Sequence, residues 1–423
     1  MAATQFENLG DAFRQAVQNS FDTLTEQNTP TWSFIKKSTQ AKPLTEKGWK
    51  VSQLERMPGG HKAFTAASPD FNAAVAPQSM AMYVYPVRYA LPVQVDGGFK
   101  RAFTAGSKDA IIEFQRVMDS YYTAAAKRTN QMCYGDGSGG LAFITNDEAT
   151  GSQTVECDTT AAAGYGHTKG AKWLKKGHVY DCVTPASGTV TSTLTITTEG
   201  SASCVGTFSS DPAAGDQVVD VGSFNNYFRG FAHLNSNTSR TLQGLATATF
   251  PDLNAYGVDL AGALLTVSTI AQIKAGLHVK NNAEDSKNGL VAFVPPGQLY
   301  LLRVQGYNLS QYIRNTDDGD VVKGVARMYK DGDTIFVEDA DCDEDRGYFF
   351  DMSQISRFEE MPFGDYDIGG GGFNMAQGTN NTGSDVYYRG IGWVGNLGVT
   401  GVARSMAFFK RAAISDSVTQ VNT

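Results

Sequence analysis

The feature that most constrains the fold is one long amphipathic stretch near residue 110. Its apolar residues recur three or four positions apart, as on one face of an α-helix, and they are Ile111, Phe114, Met118, Tyr121 or Tyr122, and Ala125. Ser107 is a residue type that suits the N-cap, and the glycine-rich turn cluster 135–140 follows the stretch. We predict a helix over about 107–130, which at 1.5 Å per residue is ~36 Å long. It is the clearest helix in the sequence.

The chain before this helix divides into two parts of different character. The first contains an amphipathic helical pattern formed by Phe6, Leu9, Phe13, Val17 and Leu24. The second, Lys36 to Lys62, holds seven basic and two acidic residues, a net charge of +5, with prolines and glycines interspersed. This composition predicts an extended basic arm, because so few apolar side chains cannot offset the entropy of ordering the segment.

A long two-stranded excursion is predicted between the arm and the helix, over 61–100. It has a tip rich in Ala, Ser and Pro around 66–78, followed by the β-prone run Met82 to Val95. After the helix, residues 150–225 are rich in Thr, Ser, Gly and Val. Apolar residues at 190, 194 and 196 alternate there with threonines, which predicts a small β subdomain.

The last two hundred residues mix helices and strands. The pattern predicts helices over 258–277 and from Pro295-Pro296 to about Tyr312. Strands are predicted at 290–294, 334–337, 348–352, 385–394 and within 401–413. The most apolar stretch, 260–277, contains Lys274 and two glycines, so we interpret it as a buried helix rather than a membrane span.

Composition and cysteine usage exclude several classes of protein. The net charge is -8, which argues against a nucleic-acid-wrapping protein, and only 18% of residues are charged, where ~25% is usual. Low charge favours a surface covered by partners rather than by water. The five cysteines are an odd number without a close pair, which predicts free thiols and a reducing site of synthesis. No leader resembling a signal peptide or a scaffold precedes Phe6, so we expect the mature chain to keep its N-terminus.

The search for catalytic or ligand-binding motifs finds none. The five histidines form no HxH or HExxH pair, Ser138 lacks a nucleophile-elbow context, and 164–170 fits neither phosphate-loop pattern. The acidic run Asp331 to Asp345 holds eight acids and no base, with Asp339, Asp341 and Asp343 at calcium-loop spacing. Glu344 stands where that loop needs Gly, and Phe350 where it needs Glu. We therefore predict a solvated or partner-facing loop, with no metal, no cofactor and no catalytic residue.

Several short motifs and the order of these parts resemble one family. The segment that runs from Arg128-Thr129-Asn130 into 135–139 resembles the end of that family's long helix. The stretch Gly230 to Leu234 is similar to a motif that follows the family's β insertion. The stretches 332–339, 348–351, 385–388 and 396–399 resemble its late strands. The chain resembles the major capsid proteins of tailed bacteriophages, which have the Hong Kong 97 type fold.

This resemblance implies an α+β fold with a defined division of the chain. The expected parts are an N-terminal arm (1–60), an extended hairpin called the E-loop (61–100) and a P domain with the spine helix (101–150). An inserted β subdomain (151–228), an A domain with part of the P-domain sheet (229–375) and C-terminal strands returning to the core (376–423) follow.

The function implied is that of a non-enzymatic shell protein. It would self-assemble into the hexamers and pentamers of an icosahedral head in the virion, after synthesis in the host bacterial cytoplasm. Expected partners are other copies, a portal protein, a separate scaffolding protein, a cement or decoration protein, and packaged double-stranded DNA contacted non-specifically, without a membrane. Two alternatives stay open: an encapsulin-like cellular compartment shell, and a secreted β-rich carbohydrate-active enzyme with a carboxylate pair near Asp339 to Glu344.

The residues expected to matter most lie in the arm. We expect Trp32, Phe34, Ile35 and Trp49 to serve as apolar anchors on neighbouring subunits, with Lys36, Lys37 and Lys42 adding charge attraction. The arm and the E-loop would then hold the shell as much as the compact domains do. Deleting residues 1–62 would leave a folded subunit that fails to close shells.

Overall fold

The computed structural model describes most of the chain in separate ranges. They are residues 29–38, 48–56, 78–96, 98, 101, 108–144, 150–158, 170–200, 203–281, 290–307, 328–331, 334–366, 374–377, 383–401 and 405–412. The predicted N-terminal helical pattern, Lys42 and the glycine run 369–372 lie outside these ranges. No helix in the described part is long and apolar enough to cross a membrane.

The predicted long helix is confirmed. It is α2, Lys108–Met132, 25 residues or ~38 Å of helix, and α1 is the short helix Pro30–Phe34 before it. Met118, Tyr122 and Ala125 are buried, as the amphipathic pattern requires. The glycine-rich cluster ends α2 as predicted, and the backbone N–H of Phe231 then donates to the carbonyl of Cys133 at 2.6 Å. A side chain at Gly230 would place its Cβ 2.4 Å from that carbonyl oxygen, so only glycine permits this contact.

The extended hairpin differs from the sequence prediction in its position. Its strands are β1, Trp49–Arg56, and β2, Gln78–Val84, paired antiparallel with Trp49 opposite Val84. The first strand therefore lies in the segment 1–60 that the sequence assigned to the arm. Trp49 and Val51 are buried while Lys50 between them is exposed, so a half-buried strand accommodates the basic residues on its outer side.

A second sheet receives the strand that follows the hairpin. The predicted run 82–95 is interrupted at Pro86, and β3, Val87–Asp96, leaves β2 to pair antiparallel with the 17-residue β19, Gly383–Val399. Strands β17, Ile355–Tyr366, and β18, Asn374–Gln377, pair along the other edge of β19. One long C-terminal strand thus joins residues separated by nearly three hundred positions.

The strand-rich segment after α2 forms a closed six-stranded barrel in the order β4-β5-β8-β7-β6-β9. Its strands are β4 Gly140–Ile144, β5 Gly151–Asp158, β6 Val179–Val183, β7 Val190–Thr198, β8 Ser203–Phe208 and β9 Gln217–Asp220. Alternate residues of β7, Leu194 and Ile196, are buried in the barrel interior, as their period of two predicts. Closure leaves the barrel with a hydrophobic core of its own.

The remaining core surrounds a six-stranded mixed sheet in the order β12-β20-β16-β13-β15-β14. The strands are β12 Tyr256–Asp259, β13 Leu290–Val294, β14 Met328–Asp331, β15 Thr334–Glu338, β16 Gly347–Phe350 and β20 Met406–Lys410. Small elements, α3 Phe231–Leu234, β10 Thr241–Leu242 and β11 Leu245–Ala246, precede it, and helices α4 Val267–Asn281 and α5 Pro296–Tyr307 cover one face. The predicted helix 258–277 is wrong in its first turns, because 256–259 pairs with β20 as a strand.

The two faces of this sheet are both buried. Phe349 and Phe409 pack under α4 and α5, whereas Tyr348, Phe350 and Phe408 point to the opposite face. That face also receives α1 and the end of α2. Continuous apolar runs such as 347–350 are the expected pattern for strands buried on both faces.

Candidate functional site

The segment around α1 is bound within the core of its own chain. The ring centroid of Trp32 lies 5.2 Å from that of Trp393 and 5.8 Å from that of Phe228, and the Arg357 guanidinium lies over its ring at 4.7 Å. Ile35 is fully buried, and the ring of Trp49 lies 5.6 Å from that of Phe358. Trp32 thus contacts β19, Trp49 contacts β17, and both belong to the hydrophobic cluster on one face of the six-stranded sheet.

This burial corrects the expectation that the apolar arm residues anchor neighbouring subunits. Trp32, Ile35 and Trp49 are at most 3% exposed within one chain, so no area is left for a second copy. Phe34 is half-buried, with its ring 6.0 Å from that of Phe293. Lys36 and Lys37 are exposed, and Lys37 Nζ lies 3.2 Å from Glu359. Contact between these two lysines and a neighbour stays a prediction, and Lys42 is outside the described residues.

Three acids of the acidic stretch are buried within the chain, which corrects the prediction of a solvated or partner-facing loop at these positions. Asp339, Asp343 and Asp345 are 3%, 4% and 6% exposed. Oxygen Oδ2 of Asp339 accepts three side-chain hydrogen bonds, and its Oδ1 accepts one from a backbone amide. The donors are Thr31 Oγ1 at 2.5 Å, Asn130 Nδ2 at 2.8 Å, Tyr134 Oη at 2.9 Å and the backbone N–H of Asp341 at 2.8 Å. These donors stabilise a buried carboxylate.

Asn130 connects this carboxylate to its neighbours. Its amide nitrogen also donates to Asp341 Oδ2 at 2.7 Å, and its carbonyl oxygen accepts the backbone N–H of Trp32 at 3.2 Å. Three separate parts of the chain therefore meet here: α1, the end of α2 and the loop after β15. We call Thr31, Asn130, Tyr134, Asp339 and Asp341 the polar junction.

Burial and the charge of Asp339 raise the pKa of Asp341 to about 7, although Asn130, Lys172 and Lys127 act in the opposite direction. Burial likewise raises the pKa of Asp345 to about 6. In the described part of the chain, no three His, Cys, Asp or Glu side chains are grouped as a metal site requires. The junction is suited to holding segments together.

A second polar cluster connects the barrel to α2. The Arg128 guanidinium pairs with Asp220 at the end of β9, donates to Gln131 Oε1 at 2.7 Å, and lies 5.5 Å over the ring of Tyr227. Tyr227 Oη also donates to Asp220, and burial raises the pKa of Tyr227. This cluster fixes the orientation of the barrel relative to the long helix.

Sequence reasoning missed both clusters. The polar triplet Arg128-Thr129-Asn130 inside an amphipathic helix was the available signal, because polar residues at buried helix positions need partners. Their partners, Asp220 and Asp339, lie 92 and 209 positions away, and no local pattern identifies them.

A cleft of about 1130 Å³ opens between α2, β3, the barrel and the polar junction. We call it the helix–barrel cleft. Its walls combine apolar side chains with charged ones. The apolar and aromatic ones include Tyr89, Leu91, Pro92, Trp173, Tyr180 and Val221, and the charged ones include Arg88, Lys127, Arg128, Lys172, Lys175, Asp220, Glu338, Asp339 and Asp341.

Comparison with known proteins identifies the fold. No protein-family model and no curated protein matches the chain. The capsid asymmetric unit of cyanophage A-1(L) matches with a TM-score of 0.50 at 10% identity, over 91% of this chain and 93% of that chain. A structure of Mycobacterium phage Bobi matches with a TM-score of 0.42 at 8% identity, over 91% of this chain and 90% of that chain. A virus-like particle from Pyrococcus furiosus matches with a TM-score of 0.38 at 6% identity, over 94% and 99%.

The match to the cyanophage capsid subunit spans nearly all of both chains. It confirms the predicted fold class, an α+β fold of the Hong Kong 97 type. At 10% identity the match shows the fold alone.

Proposed function

We propose that this chain is the major capsid protein of a tailed double-stranded DNA bacteriophage. The observation that carries the proposal is the shared fold with the cyanophage A-1(L) capsid subunit over 91% of the chain. The chain acts as a structural subunit rather than as an enzyme.

Two features of the single chain support a role in a shell. Within the described residues, β1 and β2 form a sheet of only two strands; the backbone N–H of Tyr83 in β2 donates to Gln243 at 2.8 Å, and the outer edge of β1 is not paired within that sheet. An open strand edge is a template for pairing with another chain. The low share of charged residues, 18%, suits a surface that neighbouring copies cover.

The finer assignments are part of the same proposal. The copies form hexamers and pentamers of an icosahedral head, and the protein resides in the virion after assembly in the host cytoplasm. Portal, scaffolding and decoration proteins are its partners, and it encloses DNA with non-specific contacts. The net charge of -8 agrees with a shell that encloses DNA without binding it tightly.

The two alternatives are less well supported. A glycosidase needs two carboxyl groups free to act on the substrate, whereas Asp339 is held by four donors and Asp343 is buried. An encapsulin-like shell would have the same fold as a phage head. It would differ in enclosing an enzyme cargo instead of DNA.

Native mass spectrometry and negative-stain microscopy of the purified full-length chain test the proposal. We expect pentamers, hexamers or closed shells to form as the protein concentration rises into the high micromolar range. A chain that stays monomeric over that range contradicts the proposal. Shells that co-purify with an enzyme cargo would favour the compartment alternative.

A further inference from the structure

We propose that the loop 339–341 is a proton-operated latch for the β-barrel. When Asp341 ionises, its carboxylate attracts the ammonium group of Lys172 on the barrel, and this ion pair holds the barrel against the loop. When Asp341 is protonated, the ion pair is absent. The latch lies within one chain, so the inference goes beyond the capsid function and does not depend on it.

The barrel already contacts this loop through Lys172. This residue belongs to the short 3₁₀ helix Gly170–Trp173 between β5 and β6, and its Nζ donates to the backbone carbonyl of Ala340 at 3.0 Å. That carbonyl belongs to the peptide bond between Ala340 and Asp341. Because lysine has a flexible four-carbon stem, a change of rotamer can bring the ammonium group to the carboxylate of Asp341.

Two cations at the cleft are available to a charge on Asp341. Lys127 of α2 and Lys172 line the helix–barrel cleft together with Asp341. Among the residues that the structure describes, neither lysine lies within salt-bridge distance of a carboxylate. Lys172 lies over the ring of Trp173, with its Nζ 4.7 Å from the ring centroid. Its position thus leaves the Asp341 carboxyl group without an ion pair.

The hydrogen bonds of the polar junction favour a proton on Asp341 rather than on Asp339. One amide nitrogen, Asn130 Nδ2, donates to both carboxyl groups, at 2.8 Å to Asp339 and 2.7 Å to Asp341. Asp339 has three further donors, so its ionised form is the better stabilised. Burial and the charge of Asp339 raise the pKa of Asp341 to about 7, so the latch would operate near neutral pH.

The other charged groups around Asp341 come from every element that lines the cleft except α1, which has none. The acids are Glu338 and Asp339 beside it, Asp343 and Asp345 further along the loop, and Asp220 on the barrel. The cations besides Lys127 and Lys172 are Arg88, Arg128, Lys175 and His178. Several of these are already paired: Arg128 with Asp220, Lys175 with Glu199 at 3.7 Å, and Glu338 with Arg303 at 3.9 Å.

Three further titratable groups nearby stay neutral over the relevant range. Burial raises the pKa of Cys133, Tyr134 and Cys342 well above their ordinary values. The group to be separated experimentally from Asp341 is therefore His178, because histidine is the residue type that ordinarily titrates near neutral pH.

Competitive acetylation of Lys172 and Lys176 tests the latch. The full-length chain is treated briefly with an N-hydroxysuccinimide ester of acetic acid at different pH values, and both sites are quantified by mass spectrometry. Lys176 is exposed nearby and reports the general rise of amine reactivity with pH. A neighbouring carboxylate favours the protonated, unreactive amine, so we expect the Lys172-to-Lys176 ratio to fall roughly three-fold between about pH 6 and pH 8.5. A constant ratio overturns the proposal.

Two variants assign the change to its proton. Asp341→Asn should keep the ratio at its low-pH value throughout, because it has no carboxyl group to ionise. His178→Gln is the matched control and should leave the fall intact. A fall that persists in Asp341→Asn, or that disappears in His178→Gln, overturns the proposal. The ratios should be the same at ten-fold lower protein concentration, and a dependence on concentration would show a contact between copies instead.

A double-mutant cycle tests whether the ion pair holds the barrel to the loop. Asp341→Asn, Lys172→Gln and the double variant are unfolded with urea at about pH 5 and pH 8.5. We expect a coupling equivalent to a roughly three-fold to five-fold change in the unfolding equilibrium constant at the higher pH, and none at the lower pH. The cycle with Lys176→Gln should show no coupling at either pH. Equal coupling at both pH values, or none at the higher one, overturns the proposal.

Discussion

Asp339 is the residue on which the association of three chain segments depends most directly. Its carboxylate is 3% exposed and accepts hydrogen bonds from α1, from both Asn130 and Tyr134 at the end of α2, and from its own loop. A buried carboxylate is tolerated only when hydrogen bonds or nearby charges replace its hydration. The polar junction provides that replacement.

Replacing Asp339 with Asn tests this role. The introduced side-chain amide cannot accept all four bonds, because one of its two polar groups is a donor, so at least one buried donor loses its partner. We expect the free energy of unfolding to fall by about 2–4 kcal/mol. Chemical denaturation followed by tryptophan fluorescence measures this. Asp252→Asn, at an exposed position, is the matched control and should change stability by less than about 0.5 kcal/mol.

Asp341 gives the junction a pH dependence of defined sign. Its pKa in the folded chain is about 7, above the ordinary value of 3.8, because of burial and the neighbouring Asp339. Between these two values the folded state keeps a proton that the unfolded state has lost. The contribution of this group is therefore fully present below about pH 4, decreases as the pH rises, and is lost above about pH 7.

An Asp341→Asn variant should remove this dependence. At pH 5 the folded wild type keeps the proton of Asp341 while the unfolded chain has mostly lost it, so the variant is already expected to be more stable than the wild type. At pH 8 this advantage should be larger by about 1–3 kcal/mol, because the folded wild type then also carries the buried negative charge. Unfolding free energies at the two pH values measure the difference. A stability difference between variant and wild type that is no larger at pH 8 than at pH 5 would contradict the raised pKa of Asp341.

At the scale of elements, the N-terminal segment acts as part of the core. The helix α1 contributes Trp32 between Trp393, Phe228 and Arg357, and β1 contributes Trp49 against Phe358. Deleting residues 1–62 therefore removes core side chains and one strand of the hairpin. We now expect this deletion to destabilise the subunit itself, so it does not isolate an effect on shell closure.

A single substitution measures how much this segment contributes. Trp32→Ala should lower the free energy of unfolding by about 3–5 kcal/mol, as for other buried large aromatic residues. Tyr85→Ala removes an aromatic side chain that is 52% exposed and is expected to cost less than about 1 kcal/mol. If both variants lower the free energy of unfolding by the same amount, Trp32 is not buried within its own chain.

At the scale of the whole molecule, polar contacts join the barrel, with its own hydrophobic core, to the part of the chain built around the six-stranded sheet. The barrel has its own closed interior, and the Arg128, Asp220 and Tyr227 cluster attaches it to α2. Lys36 and Lys37 are exposed, whereas Trp32 and Trp49 are buried in their own chain. Of the predicted contact residues that the structure describes, the two lysines are therefore the ones that a neighbouring copy could reach.

Replacing Lys36, Lys37 and Lys42 together with Gln tests that availability. We expect a subunit of nearly wild-type stability, since Lys36 and Lys37 are exposed, and a smaller assembled fraction in sedimentation. The defect should grow at low protein concentration. Lys176→Gln with Arg116→Gln, which remove exposed cations elsewhere, are the control. Assembly that is unchanged in the triple variant would contradict a role of these lysines between subunits.

The elements with strong local periodicity could be predicted from the sequence. The helix α2, strand β13, the alternating strand β7 and the glycine-rich turn after α2 all follow from spacing alone, because periodic burial and turn chemistry act between residues near in sequence. The order of these elements and a few motifs also sufficed to predict the α+β fold of the Hong Kong 97 type.

What only the tertiary structure decided is which distant segments share a buried surface. Net charge suggested that 36–62 was an extended arm, yet Trp49 and Val51 are buried and Lys50 is exposed in one strand. Eight acids suggested a solvated or partner-facing loop, yet donors from residues 31, 130 and 134 make burial of Asp339 possible. Charge and periodicity are properties of neighbouring residues, whereas the free energy of a buried polar group depends on partners that only the folded chain brings within hydrogen-bond distance.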